Sequence, residues 1–579
     1  MRSKGISRHQ AIQAAKENLK EIAADYSGIF VSLLAIVFRR VWNRLYDGVE
    51  LHHLDKLQAV IDDHEIIYVP CHRSHLDYLL LSYVIYTNGY VVPHIAAGVN
   101  LNIPVIGRLL RKGGAFFIRR SFAGSPLYTA VFSRYLALMM ARGHSLEYFI
   151  EGGRSRTGRL LTPKTGVLTM TVRSYLREPK RPVVFVPVYF GYERIAEGPE
   201  YLKELSGVPK QRETFLGLLK ALPLLRQQFG KVNVSIGSPI HLDSLLDQYK
   251  PTWRNQQIAE RPAWLGALVD DLALRIMRHI NDTAHVGPIN LMALVLLTTP
   301  NHALKHSELS RQLMLYVSLL RSLPYSPLVT ITTLSAQEMI AYAERMKWIR
   351  RDSTEADNLI YVMEDQVAQL NYFRNNVLHL LVLPSSIAGC FQNNSKIRMD
   401  DIRRLAWRVY PYLSKEFFLH WDEAAVPGLV ELIVNALAEQ GLLHTNDGGN
   451  SWFRFDGESV EYKQLLLLGQ ITMPIIERYY MAVSLLLKAG SGRINQEVLI
   501  KQCHEAVKQK LQITPMSSPE FFDHGLFKSF LDLLRHRSVL GVNAEGRLTY
   551  TDMLVAVADD AEFVLHEEMR KSVYQVVQQ

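Results

Sequence analysis

Glu65-Ile66-Ile67-Tyr68-Val69-Pro70-Cys71-His72-Arg73-Ser74-His75-Leu76-Asp77-Tyr78-Leu79-Leu80-Leu81-Ser82-Tyr83 holds two structural periods side by side. Residues 65–70 form a short, nearly continuous apolar run that reads as a strand buried on both faces. Residues 76–86 read as the helix that follows it, so 71–75 are a strand-to-helix turn. The same alternation continues downstream. Strands are expected over 90–96, 114–119, 145–150, 182–190 and 231–236, and helices over 127–142 and 164–177. Buried strands alternating with helices predict an α/β fold with a mainly parallel sheet flanked by helices. In such sheets ligands bind beyond the carboxyl ends of the strands.

Three regions follow from this pattern. Residues 1–50 are a short helical lead-in, 51–285 the α/β domain, and 286–579 a large helical region. In the last, Leu309, Leu313, Val317, Leu320 and Leu323 recur at helical spacing. Within the lead-in, 26–38 is uncharged and is followed by Arg39, Arg40, Trp42 and Arg44. An apolar helix ending in Arg and Trp suits a water–lipid interface, and it equally suits packing on the neighbouring domain. Thirteen uncharged residues fall short of the roughly 20 that cross a bilayer.

The 579 residues are 48% hydrophobic and 21% charged, which excludes a disordered, collagen-like or coiled-coil chain. Cys71, Cys390 and Cys503 are too scattered for a disulfide framework or a CxxC zinc site. The net charge of +9 is unevenly placed. Residues 100–181 hold 15 Lys and Arg against three acids, and the rest of the chain is slightly acidic. That basic stretch calls for an anionic partner: a phosphate-bearing substrate, an anionic membrane surface or nucleic acid. A nucleic-acid surface would interleave exposed aromatics with Lys and Arg, a pattern absent here.

Three motifs carry chemistry. First, His72 lies in the turn with Asp77 five residues on. A hydrogen bond from one ring nitrogen to Asp77 would fix the tautomer and leave the other nitrogen as a base able to take a proton from an alcohol. The same Ser74-x-x-Asp77 is also a capping box, a purely structural use. His72, His75 and Asp77 lack the further cluster a metal site needs, so no metal or other cofactor is expected. Second, Gly113-Gly114-Ala115-Phe116-Phe117-Ile118-Arg119-Arg120 ends a strand in two arginines, whose forks match phosphate oxygens. Third, Phe149-Ile150-Glu151-Gly152-Gly153-Arg154-Ser155-Arg156-Thr157-Gly158-Arg159 is a loop of glycine, arginine and hydroxyl groups suited to an anion. Arg159-Leu160 stands where a nucleotide-binding P-loop has Lys and Ser or Thr, which argues against an NTPase. Together the motifs describe group transfer onto a phosphate-bearing alcohol.

The order His72-x4-Asp77, GAFFIRR, FIEGGRSRTG and Val184-Phe185-Val186-Pro187-Val188 resembles the four blocks of the glycerolipid acyltransferases, in particular the large bacterial membrane-associated glycerol-3-phosphate 1-acyltransferases. That large form carries a long region ahead of its first block, whereas His72 stands near the start here, a departure that bears on membrane attachment and regulation more than on chemistry. The resemblance implies transfer of an acyl chain from acyl-CoA or acyl-carrier protein to the sn-1 hydroxyl of glycerol 3-phosphate, at the cytoplasmic face of a bacterial inner membrane. It implies His72 as base, oriented by Asp77, and Arg120 on the phosphate, assisted by Arg154 and Arg156. It also implies Glu151, Gly152 and Ser155 around the glycerol and Pro187 at its border. Oxyanion donors are expected among the backbone N–H groups where the Ser74 helix starts. The alternatives are an acceptor such as dihydroxyacetone phosphate or lysophosphatidate, and a non-enzymatic basic protein that binds anionic membrane.

Overall fold

The computed structural model describes residues 7–119, 121–122, 124–205, 229–254, 262–353, 358–513 and 524–578. The chain divides into two compact units. One is Met1–Ser155, Leu160–Gly198 and Pro209–His285; the other is Arg156–Arg159, Pro199–Val208 and Val286–Gln579.

The first unit begins with two helices. Ser7 starts α1 (Arg8–Ile22) with a capping box to Gln10, and Ser27 caps α2 (Gly28–Leu45) by accepting from the Phe30 N–H. The sheet follows, with β1 (Val49–His52), β2 (Glu65–Pro70), β3 (His94–Gly98), β4 (Ala115–Ile118), β5 (Leu146–Glu147), β6 (Val183–Tyr192), β7 (Val232–Ile236) and β8 (Ile240–His241). Its order is β1-β7-β6-β2-β5-β3-β4, with β8 beside β6. The β1–β7, β2–β6, β2–β5, β3–β5 and β3–β4 pairs are parallel; β6–β7 and β6–β8 are antiparallel. The mainly parallel sheet expected from the alternation is therefore present, with an antiparallel return beyond β6. The helices α3 (Asp77–Thr87), α4 (Ile106–Lys112), α5 (Pro126–Ala141), α6 (Gly166–Arg177) and α7 (Leu265–Asp282) belong to the same unit. Every residue of β2 and β6 is buried, which is why these two strands show no polar alternation.

This topology places the motifs. The His72 turn follows β2, Arg119 follows β4, and the Glu151 loop follows β5, all at carboxyl ends of parallel strands.

The lead-in uses its two faces differently. Trp42 and Val31 are buried, and Trp42 leads through Tyr46 to Tyr192 of β6, with ring centroids 6.0 and 6.5 Å apart. On the opposite side Ile29 and Leu33 are 79% and 58% exposed, and Ile36 and Val37 are exposed with them. No helix among the described residues is long and apolar enough to cross a membrane.

The second unit is helical with small antiparallel sheets. The leucine stripe is buried on the helix His306–Ser322 through Leu309, Leu313, Val317 and Leu320. Five further helices matter below: α8 (Val382–Gly389), α9 (Met399–Phe417), α10 (Met473–Ala489), α11 (His524–His536) and α12 (Asp552–Val564). Glu416 of α9 is a buried acid that accepts from both Arg478, at 2.5 and 2.6 Å, and the Tyr479 hydroxyl at 2.6 Å, and pairs with Arg159. Burial alone would raise its carboxyl, but the Arg478 and Arg159 charges outweigh that and hold it at about 2. Removing this charge takes the carboxylate away from two buried guanidinium groups. Glu416→Gln should therefore destabilise the helical unit by roughly 3–5 kcal/mol, read as a lower urea midpoint for the helical signal.

Candidate active site

The turn after β2 is organised by one carboxylate. Asp77, the first residue of α3, is 0% exposed. Its Oδ2 accepts from the Arg73 N–H at 2.6 Å and the Ser74 N–H at 2.9 Å, and lies 3.1 Å from His72 Nδ1. Its Oδ1 accepts from the Tyr192 hydroxyl at 2.6 Å. An oxygen already accepting two N–H bonds takes Nδ1 as a third donor, which puts the imidazole proton there. The ring stacks on Phe149, centroids 3.9 Å apart, and its side chain is 16% exposed. Nε2 has no hydrogen-bond partner among the described residues. The capping use and the His72 use thus coexist: the same carboxylate closes the turn and fixes the ring.

Two buried glutamates build the turn from outside. Glu151 accepts from the backbone N–H of His72 at 2.8 Å and of Leu161 at 2.7 Å, so its carboxylate serves main chain. Burial pushes it up to about 7, against the pull of those two N–H groups. Glu197 accepts from the Ser74 hydroxyl at 3.0 Å and the His75 N–H at 2.7 Å, and pairs with Arg154 at 3.4 Å. Its carboxyl is also raised by burial. The N–H groups of Arg73, Ser74 and His75 are all engaged, and that of Leu76 goes to the Ser74 hydroxyl. The start of this helix therefore does not supply the free oxyanion donors expected of it.

The other sequence candidates fall as follows. Ser155 is buried and donates its N–H to the His72 carbonyl at 2.8 Å. Gly152 has φ +63°, and a side chain there would strike Lys164. Pro187 pairs with Val69 across the sheet, its carbonyl accepting from Gly237 at 2.8 Å. Arg156 and Arg159 belong to the helical unit, where Arg156 pairs with Glu204 at 3.0 Å and Arg159 with Glu416. Arg119 forms a bidentate pair with Glu21 of α1, both contacts 2.6 Å. Arg120 lies outside the described residues. Cys71 is buried, its thiol pushed up to about 12 by burial and its sulfur accepting from the Phe190 N–H.

Tyr192, Glu197, Arg73 and Lys164 are the residues sequence reading missed. Arg73 is buried over the Tyr189 ring, 4.5 Å from its centroid. Lys164 is exposed beside Gly152, its ammonium without an acid among the described residues. Lys164 left a signal as a cation five residues past the third block, and Arg73 as a cation inside the first motif. Glu147 of β5 is fully buried with both carboxyl oxygens unpaired among the described residues, and burial, with Asp77 second, holds its carboxyl well above the usual range. Among the described residues no group of three His, Cys, Asp or Glu side chains is arranged to hold a metal ion. A positioned, largely buried imidazole, with guanidinium and ammonium groups near the third block, suits proton abstraction from an anionic alcohol.

Residues 48–191 match the family described as acyltransferase, and 201–543 match the glycerol-3-phosphate acyltransferase C-terminal region. The chain is 44% identical over 577 residues to the glycerol-3-phosphate acyltransferase of Pseudomonas paraeruginosa, covering 99% of this chain and 69% of that protein. It is 45% identical over 561 residues to the enzyme of the same name from Xanthomonas campestris, covering 96% and 63%. The corresponding Pseudomonas syringae protein is 42% identical over 574 residues, covering 99% and 69%.

Glu151 yields a pH signature. Its carboxyl is raised from 4.5 to about 7 in the folded chain, so the stability it contributes is complete below about 4.5 and is lost as pH rises through about 7. Relative to Glu151→Gln, the native chain should lose on the order of 3 kcal/mol of stability across that window. Denaturant midpoints of the two proteins at pH 4.5, 6 and 8 measure the difference.

Proposed function

The chain belongs to the glycerol-3-phosphate acyltransferase family and transfers an acyl group to glycerol 3-phosphate; on that premise we propose how its own residues do so. The observation that carries the reading is the His72 ring, tied through Nδ1 to a buried Asp77 with Nε2 unengaged. His72 Nε2 removes the proton from the sn-1 hydroxyl of glycerol 3-phosphate. The oxygen attacks the carbonyl carbon of a thioester, acyl-CoA or acyl-carrier protein. The tetrahedral intermediate collapses with cleavage of the carbon–sulfur bond, and protonated His72 returns its proton to the leaving thiolate. The products are 1-acyl-glycerol 3-phosphate and a free thiol. Asp77 holds the productive tautomer and stabilises the imidazolium formed midway.

Arg120 is the proposed phosphate ligand, with Arg154 and the exposed Lys164 adding positive charge at the Glu151 loop. Gly152 keeps that loop's backbone accessible, and Ser155 and Pro187 border the glycerol. Glu151 is a positioning residue, since its carboxylate holds the His72 main chain. No metal or cofactor enters any step.

The enzyme is further proposed to work at the cytoplasmic face of the bacterial inner membrane, docked through α2. Ile29, Leu33, Ile36 and Val37 form an outward apolar stripe, and Val105 and Leu109 are exposed on and beside α4. The two helices adjoin, the Ser27 N–H bonding the Lys112 carbonyl at 3.0 Å. Arg39, Arg40, Arg44, Arg108 and Lys112 are exposed around them without acid partners among the described residues. Apolar side chains rimmed by free cations fit an anionic lipid surface.

Release of thiol from palmitoyl-CoA, followed with and without glycerol 3-phosphate, tests the chemistry. His72→Ala should lower kcat by roughly 10²–10⁴-fold with an unchanged melting temperature. Arg120→Ala should chiefly raise the apparent KM for glycerol 3-phosphate. Acceptor-dependent release that survives in His72→Ala would exclude His72 as the base. For the membrane, flotation with vesicles containing phosphatidylglycerol should retain the native chain. The double substitution Leu33→Glu, Ile36→Glu should weaken retention at least about tenfold, because two apolar side chains no longer leave water.

A further inference from the structure

The helical unit contains an apolar pocket that the reaction above does not use. The empty space within it is about 750 Å³ with the open mouth included. Five helices supply its walls, α8 to α12, through such residues as Leu405, Val409, Ile476, Val483, Phe530 and Val564. All described residues that line it lie between 386 and 564, outside the region 48–191 that carries the His72 turn.

Three polar groups in the wall are already satisfied from within. The Ser386 hydroxyl donates to the Val382 carbonyl at 2.7 Å, and the Cys390 thiol to the Ser386 carbonyl at 3.4 Å. The Tyr479 hydroxyl donates to Glu416, and its ring stacks on Phe530 with centroids 4.3 Å apart. A ligand that offered hydrogen-bonding groups to this interior would find few partners and lose its own hydration. A hydrocarbon loses nothing.

The rim is different. Arg408 and Asp560 are both lining residues, and Arg404 and Arg408, one helical turn apart on α9, share the single Asp560 carboxylate of α12. Arg404 has a second acid, Asp401, at 3.5 Å. Among the described residues Arg408 is paired with Asp560 alone, and its side chain is 39% exposed. A guanidinium fork with half a counter-charge at the mouth of an apolar pocket is matched by a carboxylate or phosphate on a hydrocarbon tail.

We propose that this pocket binds a single-chain anionic amphiphile, a free fatty acid or a monoacyl phosphate lipid, with the tail among α8–α12 and the head at Arg408. Binding should tighten roughly fourfold for each methylene added to the tail until the pocket is full, since each leaves water.

The full-length chain, illuminated with a diazirine-bearing palmitic acid and digested, provides the test. Label is expected on peptides containing residues 386–390, 476–483 and 557–564. Dodecanoic acid and 1-acyl-glycerol 3-phosphate should compete, and whichever does so at the lower concentration identifies the natural head group. Dodecanol should need at least tenfold more. Ala561→Trp, which fills the pocket, should lose this label while retaining thiol release from palmitoyl-CoA. Should Ala561→Trp fail to fold, Val483→Phe takes its place, and the native labelling map stands without either. Label confined to residues outside these peptides, equal competition by dodecanol, or undiminished label in a folded pocket-filling variant would each overturn the proposal.

Discussion

Taking the Asp77 carboxylate out of water costs several kcal/mol unless donors replace its lost hydration, and the α/β unit is arranged around meeting that demand. Two donors are local, the N–H groups of Arg73 and Ser74. The third is the His72 ring, and the fourth is the Tyr192 hydroxyl, brought from β6. Tyr192 is in turn packed near Tyr46 at the end of α2, so the lead-in helix is tied to the same point. One buried charge thus fixes the turn, the ring, the adjoining strand and the helix that covers it. An imidazole held on two sides, by Asp77 and by the Phe149 face, pays little reorganisation when it takes up a proton.

Around that centre, acids do most of the positioning and arginines most of the neutralising. Glu151 holds the main chain of His72, and Glu197 holds that of His75 together with the Ser74 hydroxyl. Each sits in a dry environment that raises its carboxyl. Glu416 shows the opposite balance in the helical unit, where two guanidinium groups overcome burial. The contrast follows from how many cations each carboxylate meets, since all three are buried. The basic stretch of 100–181 is consequently far less of an open cationic surface than its composition implies. Arg119, Arg154, Arg156 and Arg159 all have carboxylate partners. Cations of that stretch left without acids among the described residues include Arg108 and Lys112, beside the exposed stripe of α2, and Lys164.

The sequence by itself determined the alternation of strand and helix, because burial on two faces leaves no polar period in β2 or β6 and helical spacing is a local property. It also determined the His72 and Asp77 pairing, because five residues across a strand-to-helix turn leave the two side chains within reach. The lead-in had two readings, interface or packing; Trp42 and Val31 pack inward, and Ile29 and Leu33 are exposed. The tertiary structure alone decided the rest. Strand direction is invisible in a hydrophobic run, so the antiparallel β6–β7 pairing had no signature. Tyr192 meets Asp77 across 115 residues, and Glu21 meets Arg119 across 98. An arginine reads the same in sequence whether it is free for phosphate or spent on a distant acid. Only the fold, by bringing those carboxylates within 2.6–3.4 Å, settles which it is.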